Sequence, residues 1–251
     1  MKQSLQLEIC ADSIDSALAA ERGGAHRIEL CSSLLEGGLT PSAGFIRRVR
    51  DRVSIGLWVM IRPRGGDFCY SEDEYIAMKE DILVARRFGA NGVALGLLAE
   101  EGCVDVDRTR ELVGLARPLE VTFHRAFDVS ASLEKSLEDV VGAGADRILT
   151  SGGAQTALEG LEPIKSLVQA AQGRIVVMAG SGVNSQNAAR LIAATGVTEV
   201  HASAKTRVES RMSYRKSISM GQVEAEFGEY SRFVANHQEV SALARVLGQF
   251  G

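Results

Sequence analysis

Cysteine and proline are both scarce in this 251-residue chain, at four each, and their placement narrows the possible classes of protein. Cys10, Cys31, Cys69 and Cys103 show no CxxC spacing. A chain of this length needs no disulfide staples, so the thiols are expected to be reduced. No apolar run approaches the roughly 20 residues of a membrane span. No apolar stretch of signal-peptide length follows Met1-Lys2-Gln3-Ser4, which runs straight into a strand pattern. The expectation is a soluble cytoplasmic protein with no membrane partner. Long runs of one charge are also missing: 28 basic and 32 acidic residues leave a net charge of -4, which argues against nucleic acid as a partner. No GxGxxG follows the first strand, and no Pro/Gly-rich linker divides the chain.

What is present is a regular alternation. Short β-branched and aliphatic runs recur at Leu5 to Ile9, His26 to Leu30, Leu57 to Ile61, Gly92 to Leu95, Leu119 to Phe123, Arg147 to Thr150, Ile175 to Met178 and Thr198 to His201. Between them lie stretches with apolar residues at helical spacing: Ser13 to Arg22, Ser42 to Arg50, Glu72 to Phe88, Val106 to Ala116, Leu133 to Val141, Ala157 to Ala171 and Ser185 to Ala194. A local echo marks the joints, as in Gly24-Ala25-His26-Arg27-Ile28 and Gly144-Ala145-Asp146-Arg147-Ile148, where a helix-ending glycine leads into a strand. Parallel strands joined by helices need both faces covered, and eight of them close most economically into a barrel. The fold class is therefore α/β, a single (β/α)8 TIM-type barrel over residues 1–251, with an extra C-terminal loop and helix. That tail reads as a basic, serine-rich loop from Lys205 to Ser219, able to fold over one barrel end, and a last helix near Tyr230 to Leu247.

Candidate chemistry collects at the C-terminal strand ends, which surround the active-site mouth in such barrels. Leu7-Glu8-Ile9-Cys10 and Ile28-Glu29-Leu30-Cys31 repeat one pattern, and strand parity puts Glu8, Cys10, Glu29 and Cys31 on a shared face. The same parity turns Met60, Arg62 and Arg64 inward on the third strand, followed by the acid Asp67 in a glycine-containing loop. Strand five ends with His124, Arg125 and Asp128, and strand eight offers Glu199, His201 and Ser203 on one face. After strands six and seven, Thr150-Ser151-Gly152-Gly153 and Ala179-Gly180-Ser181-Gly182 resemble turns whose backbone N–H groups cradle an anion, which makes Ser151, Gly152, Gly180 and Gly182 candidates for cofactor binding. Each residue alone has an ordinary structural explanation. Their coincidence at one end of successive strands, where a plain core would be aliphatic, argues for a functional site.

Longer motifs carry a resemblance. Glu36-Gly37-Gly38-Leu39-Thr40-Pro41-Ser42, Ile61-Arg62-Pro63-Arg64-Gly65-Gly66-Asp67-Phe68-Cys69-Tyr70, Thr122-Phe123-His124-Arg125-Ala126-Phe127-Asp128 and Leu149-Thr150-Ser151-Gly152, with the two Glu-x-Cys strands, resemble the CutC family of copper homeostasis proteins from Leu7 to about Tyr230. The resemblance implies a TIM-type barrel, a cytoplasmic homodimer and copper as ligand, with Cu(I) held by Cys10 and Cys31. Soft Cu(I) prefers thiolates, so that assignment is chemically sound. A second reading stays open beside it: an enzyme of lyase, isomerase or hydrolase class. There Glu8, Glu29, His124 or His201 exchange protons, and Arg62, Arg64 or Arg125 anchor a small polar, sugar-like or anionic molecule. A divalent metal on Glu8, Glu29 and His201 is a third.

Overall fold

The computed structural model describes residues 5–218 and 229–250. Strands β1 (Gln6–Ala11), β2 (Arg27–Leu30), β3 (Gly56–Met60), β4 (Gly92–Leu95), β5 (Glu120–Phe123), β6 (Arg147–Thr150), β7 (Val176–Ala179) and β8 (Glu199–Ala202) pair in parallel in chain order. β8 returns to β1, with Glu8 opposite His201, and closes the barrel. Helices α1 (Ile14–Arg22), α2 (Ala43–Arg50), α3 (Glu72–Arg87), α4 (Val106–Ala116), α5 (Leu133–Ala143), α6 (Leu161–Ala171) and α7 (Ala188–Thr195) follow successive strands, and the eightfold alternation expected from the sequence is the observed one.

Local chemistry sets these boundaries. Ser13, Ser42, Ser71, Asp105 and Ser132 each accept a backbone N–H in the first turn of the helix that follows, and Ser71 completes a capping box with Glu74. At the other ends, Gly24, Gly89, Gly144 and Gly196 hold φ between +75° and +87°, a region that glycine enters without steric cost, before the chain drops into the next strand. Leu7, Ile9, Ile28, Leu30, Leu57 and Val59 are fully buried between strands and helices. This layer, not the barrel interior, is the hydrophobic core.

The lower interior is ionic instead of aliphatic. Arg27 Nε donates to Glu8 Oε2 at 2.5 Å, and its Nη2 pairs with Glu199. Arg147 Nε meets the same Glu199 carboxylate at 2.6 Å. Both guanidinium carbons lie near the Trp58 ring, at 5.0 and 5.5 Å from its centroid, within cation–π range. The indole fits because β4 offers Gly92 beside it: a Cβ there would stand 2.1 Å from Trp58 Nε1.

The C-terminal tail corrects one expectation. Lys205–Glu209 forms β9, and Ser231–Ala235 pairs with it antiparallel as β10, so the final helix α8 begins only at His237 and runs to Gly248. The cause is local. Asn236 caps the helix by accepting from Gln238 N, while Ala235 N donates to Ser16 Oγ and Arg232 pairs with Asp15 at 2.5 Å, which fastens the strand to α1. Of the basic loop, residue 219 lies outside the described residues.

A substitution separates the buried pairs from the exposed ones. Glu199→Gln leaves two buried guanidiniums short of an anion and is expected to lower unfolding free energy by about 3–5 kcal/mol. Glu120→Gln, removing the half-exposed partner of Arg147, should cost less than about 1 kcal/mol. Urea denaturation midpoints of the two variants check the contrast.

Candidate functional site

At the C-terminal ends of the strands a cavity of about 1010 Å³ opens among Cys10, Glu29, Met60, Arg62, His124 and His201. β9 and β10 wall one side of it through Lys205, Arg232 and Phe233. On its floor the Cys10 Sγ, a Glu29 carboxylate oxygen and a His201 ring nitrogen all lie within 4.8 Å of one another. Three strands adjacent in the closed sheet supply them. β1 and β2 place Cys10 opposite Glu29, and β8 brings His201 against β1. Cys31 Sγ sits 3.6 Å from Cys10 Sγ, fully buried beneath Gly38 and beside Met60. All four cysteines are free thiols.

Glu8 lies one step below and serves the cluster indirectly. Its Oε1 meets His201 Nδ1 at 2.7 Å, which turns Nε2 toward Glu29, 3.9 Å away. This carboxylate–imidazole pair is the arrangement that orients a metal-binding histidine and raises its basicity. Burial would push the Glu8 pKa up, but Arg27 and the His201 hydrogen bond overcome it and hold the group down at about 2. Glu29 goes the other way: burial, reinforced by the Glu8 charge and opposed by His201, lifts it to about 7, and its Oε1 has no hydrogen-bond partner. Burial disfavours a charged His201, yet Glu29, Cys10 and Glu8 keep its pKa well above the ordinary imidazole value. The hydrogen bond with Cys31, followed by burial, raises the Cys10 thiol.

The remaining sequence candidates divide. His124 and Arg62 line the same cavity and are buried. Arg125 also lines it, with Nε on Asp128 at 2.8 Å and Nη2 on Ser151 Oγ at 2.8 Å. Arg64 and Asp67 do not reach it: Arg64 pairs with Glu74 at 2.6 Å and Asp67 at 3.0 Å and donates to Cys69 O. β3 ends at Met60, and beyond Pro63 the strand parity that turned Arg64 inward no longer applies. The anion cradle after β6 is likewise corrected. The Asp128 carboxylate already fills it, accepting from Ser151 N, Gly153 N and Thr150 Oγ1, while Gly152 N binds Thr150 Oγ1 and Gly180 N binds Thr150 O. Asp128 is thus a structural anion, and Gly180 a close-packing position, where a Cβ would meet Leu149 at 2.6 Å. Gly182 alone of that group faces the cavity. The sequence reading did not single out Arg27 and Arg147, although both occupy the same place in the repeated Gly-Ala-x-Arg-Ile segments.

These features define a class: a (β/α)8 barrel with a thiol–imidazole–carboxylate cluster under a polar mouth cavity. Residues 5–206 match the CutC family model, and the chain belongs to that family. A mouse relative named as a copper homeostasis protein cutC homolog is 49% identical over 238 residues, covering 94% of this chain and 87% of its own length. A CutC family protein of Chromobacterium violaceum is 49% identical over 241 residues, covering 96% and 97%. A CutC crystal structure from Streptococcus agalactiae superposes with a TM-score of 0.76 at 34% identity, over 79% of this chain and 98% of that one.

The depressed Glu8 pKa gives a signed pH dependence. A carboxyl at about 2 in the fold, against an ordinary 4.5, contributes stability that is complete above pH 4.5 and disappears as the pH falls toward 2. Denaturant midpoints across that range should fall for the wild type. Glu8→Gln should start lower and show a flatter decline.

Proposed function

We propose that the protein binds copper at the floor of the barrel mouth, with Cys10, Cys31 and His201 as the donors and Glu29 beside them. The observation that carries this reading is the convergence of Cys10, Glu29 and His201 ligand atoms within 4.8 Å, with Glu8 fixing the imidazole. Two thiols and an imidazole suit soft Cu(I). The unpartnered Glu29 Oε1 fits a site whose partner arrives from outside. The mouse relative's name points to the same metal. Free thiols throughout also fit a reducing compartment such as the cytoplasm.

Binding displaces protons. Cys10 must lose its thiol proton and His201 the proton on Nε2, and both groups hold those protons more tightly than their ordinary values. The sign follows: apparent Cu(I) affinity should rise from pH 6 to pH 8, by up to about tenfold per unit for each proton released. Anaerobic competition against a Cu(I) chelator measures this directly. In the same assay Cys10→Ser, Cys31→Ser and His201→Ala should each weaken binding by at least about tenfold. A Cys10→Ser/Cys31→Ser double variant that competes as well as the wild type would remove the thiols from this role.

A further inference from the structure

On the side of the cavity that follows β3, Arg62 carries a positive charge that no carboxylate among the described residues neutralises. Arg62 is 5% exposed and lies among neutral groups: it donates to Glu36 O at 2.6 Å, Gly38 O at 3.2 Å and Gly66 O at 2.8 Å, with the Tyr70 hydroxyl beside its guanidinium. Its Nε has no partner. Among the described residues no carboxylate pairs with it; the acids that line the same cavity, Asp12, Glu29 and Glu36, make no ion pair to its guanidinium. Burying an unpaired charge is costly, so the arrangement calls for an anion from outside.

A second orphan stands beside it. His124 is 3% exposed, and its Nδ1 accepts from Ala126 N at 3.2 Å, which leaves the proton on Nε2. That buried Nε2–H has no acceptor. Phe68 bridges the two groups, with Arg62 4.8 Å over its ring and the His124 ring 5.1 Å from it. Burial and the Arg62 charge depress the His124 pKa to about 3, so the ring is a neutral donor at physiological pH. Other cations of the cavity are placed differently: Arg125 is neutralised by Asp128, Arg232 by Asp15, and the exposed Lys205 lies over the Phe233 ring.

We infer that the mouth binds a small organic anion, a carboxylate or a phosphate monoester, whose anionic group is held by Arg62 and the Nε2–H of His124. A bare ion does not need a cavity of about 1010 Å³, which lies at the upper end of ordinary small-molecule sites. The inference goes beyond copper binding and uses different residues.

Calorimetry and thermal shift on metal-free protein test it. Malonate and pyruvate probe the carboxylate source, glycerol 3-phosphate and inorganic phosphate the phosphate source, and glycerol is the neutral control. One arm is expected to bind with Kd below about 1 mM and to raise Tm, while glycerol does neither. Arg62→Gln should weaken that binding at least about tenfold. Because Arg62 also clamps two loops, His124→Asn is the second variant: its amide oxygen keeps an acceptor for Ala126 N–H while the Nε2–H donor is gone, and the same loss is expected. A crystal of unmodified protein soaked with the binding probe should show the anion on His124 Nε2. The inference is overturned if neither arm binds, if binding stays within about twofold in both variants, or if the anion lies elsewhere. Cu(I) competition should be unchanged in His124→Asn and anion binding unchanged in Cys10→Ser, so this inference and the copper reading fail separately.

Discussion

The two oxygens of Glu8 are used for different purposes: Oε2 accepts from Arg27 at 2.5 Å, and Oε1 meets His201 Nδ1 at 2.7 Å. Through Arg27 the carboxylate is tied to Glu199, and through Glu199 to Arg147, so a buried ionic layer runs beneath the mouth. Such a layer is not an economical way to stabilise a barrel. Desolvating charges can outweigh their mutual attraction, and aliphatic residues of equal volume often do as well or better. Its use here is positional. An aliphatic floor could pack β1 against β8, but it could not hold an ionised Glu8 under His201, and without that anion the imidazole loses its orientation and part of the charge preference that Glu29 and Cys10 otherwise give it.

The floor also explains why two glutamates with the same sequence surroundings differ in chemistry. Glu8 has an arginine and a histidine and stays ionised to about pH 2; Glu29, opposite Cys10 in the register, is buried without an arginine ion pair and rises to about 7. Environments that drive paired carboxylates apart in this way separate a fixed charge from a group that takes and gives protons. Glu29 therefore stands next to Cys10 as a carboxyl that can exchange a proton near neutral pH, while Glu8 does not change state there. The barrel achieves the division with strand register alone, since Glu8 faces Arg27 and Cys10 faces Glu29.

Much of this was legible in the chain, and what was missed has definite causes. Periodicity located all eight barrel strands and their helices because apolar spacing depends on local geometry. Parity correctly grouped Glu8, Cys10 and Glu29, since alternation holds inside a strand. It failed at Arg64, because β3 ends at Met60 and the loop after Pro63 obeys no alternation. The pairing of Glu8 with His201 spans 193 residues and exists only because β8 closes on β1. No spacing rule reads such a contact. Ser151 and Gly152 had the composition of an anion cradle, and the cradle is real, but Asp128 from the preceding 3₁₀ turn occupies it. The strand Ser231–Ala235 runs straight into α8 and is defined by its antiparallel pairing with β9, a contact that no local pattern reads.

The two histidines of the mouth show how one side chain acquires opposite roles. His201 turns Nδ1 to a carboxylate, which favours a proton on both nitrogens and a charged ring. His124 turns Nδ1 to a backbone N–H, which can only be accepted, so that nitrogen stays unprotonated while Arg62 and burial exclude the charged form. In the closed strand order the strand that ends before His124, β5, lies four positions from β1, so the neutral donor and the charged imidazole belong to opposite walls. Soft and proton-exchanging groups gather on β1, β2 and β8, and the unneutralised guanidinium and neutral donor follow β3 and β5. A single-purpose ion carrier has no use for the second wall. Arg62 clamps its two loops through their carbonyls, and the inferred anion supplies the counter-charge that no carboxylate among the described residues gives it.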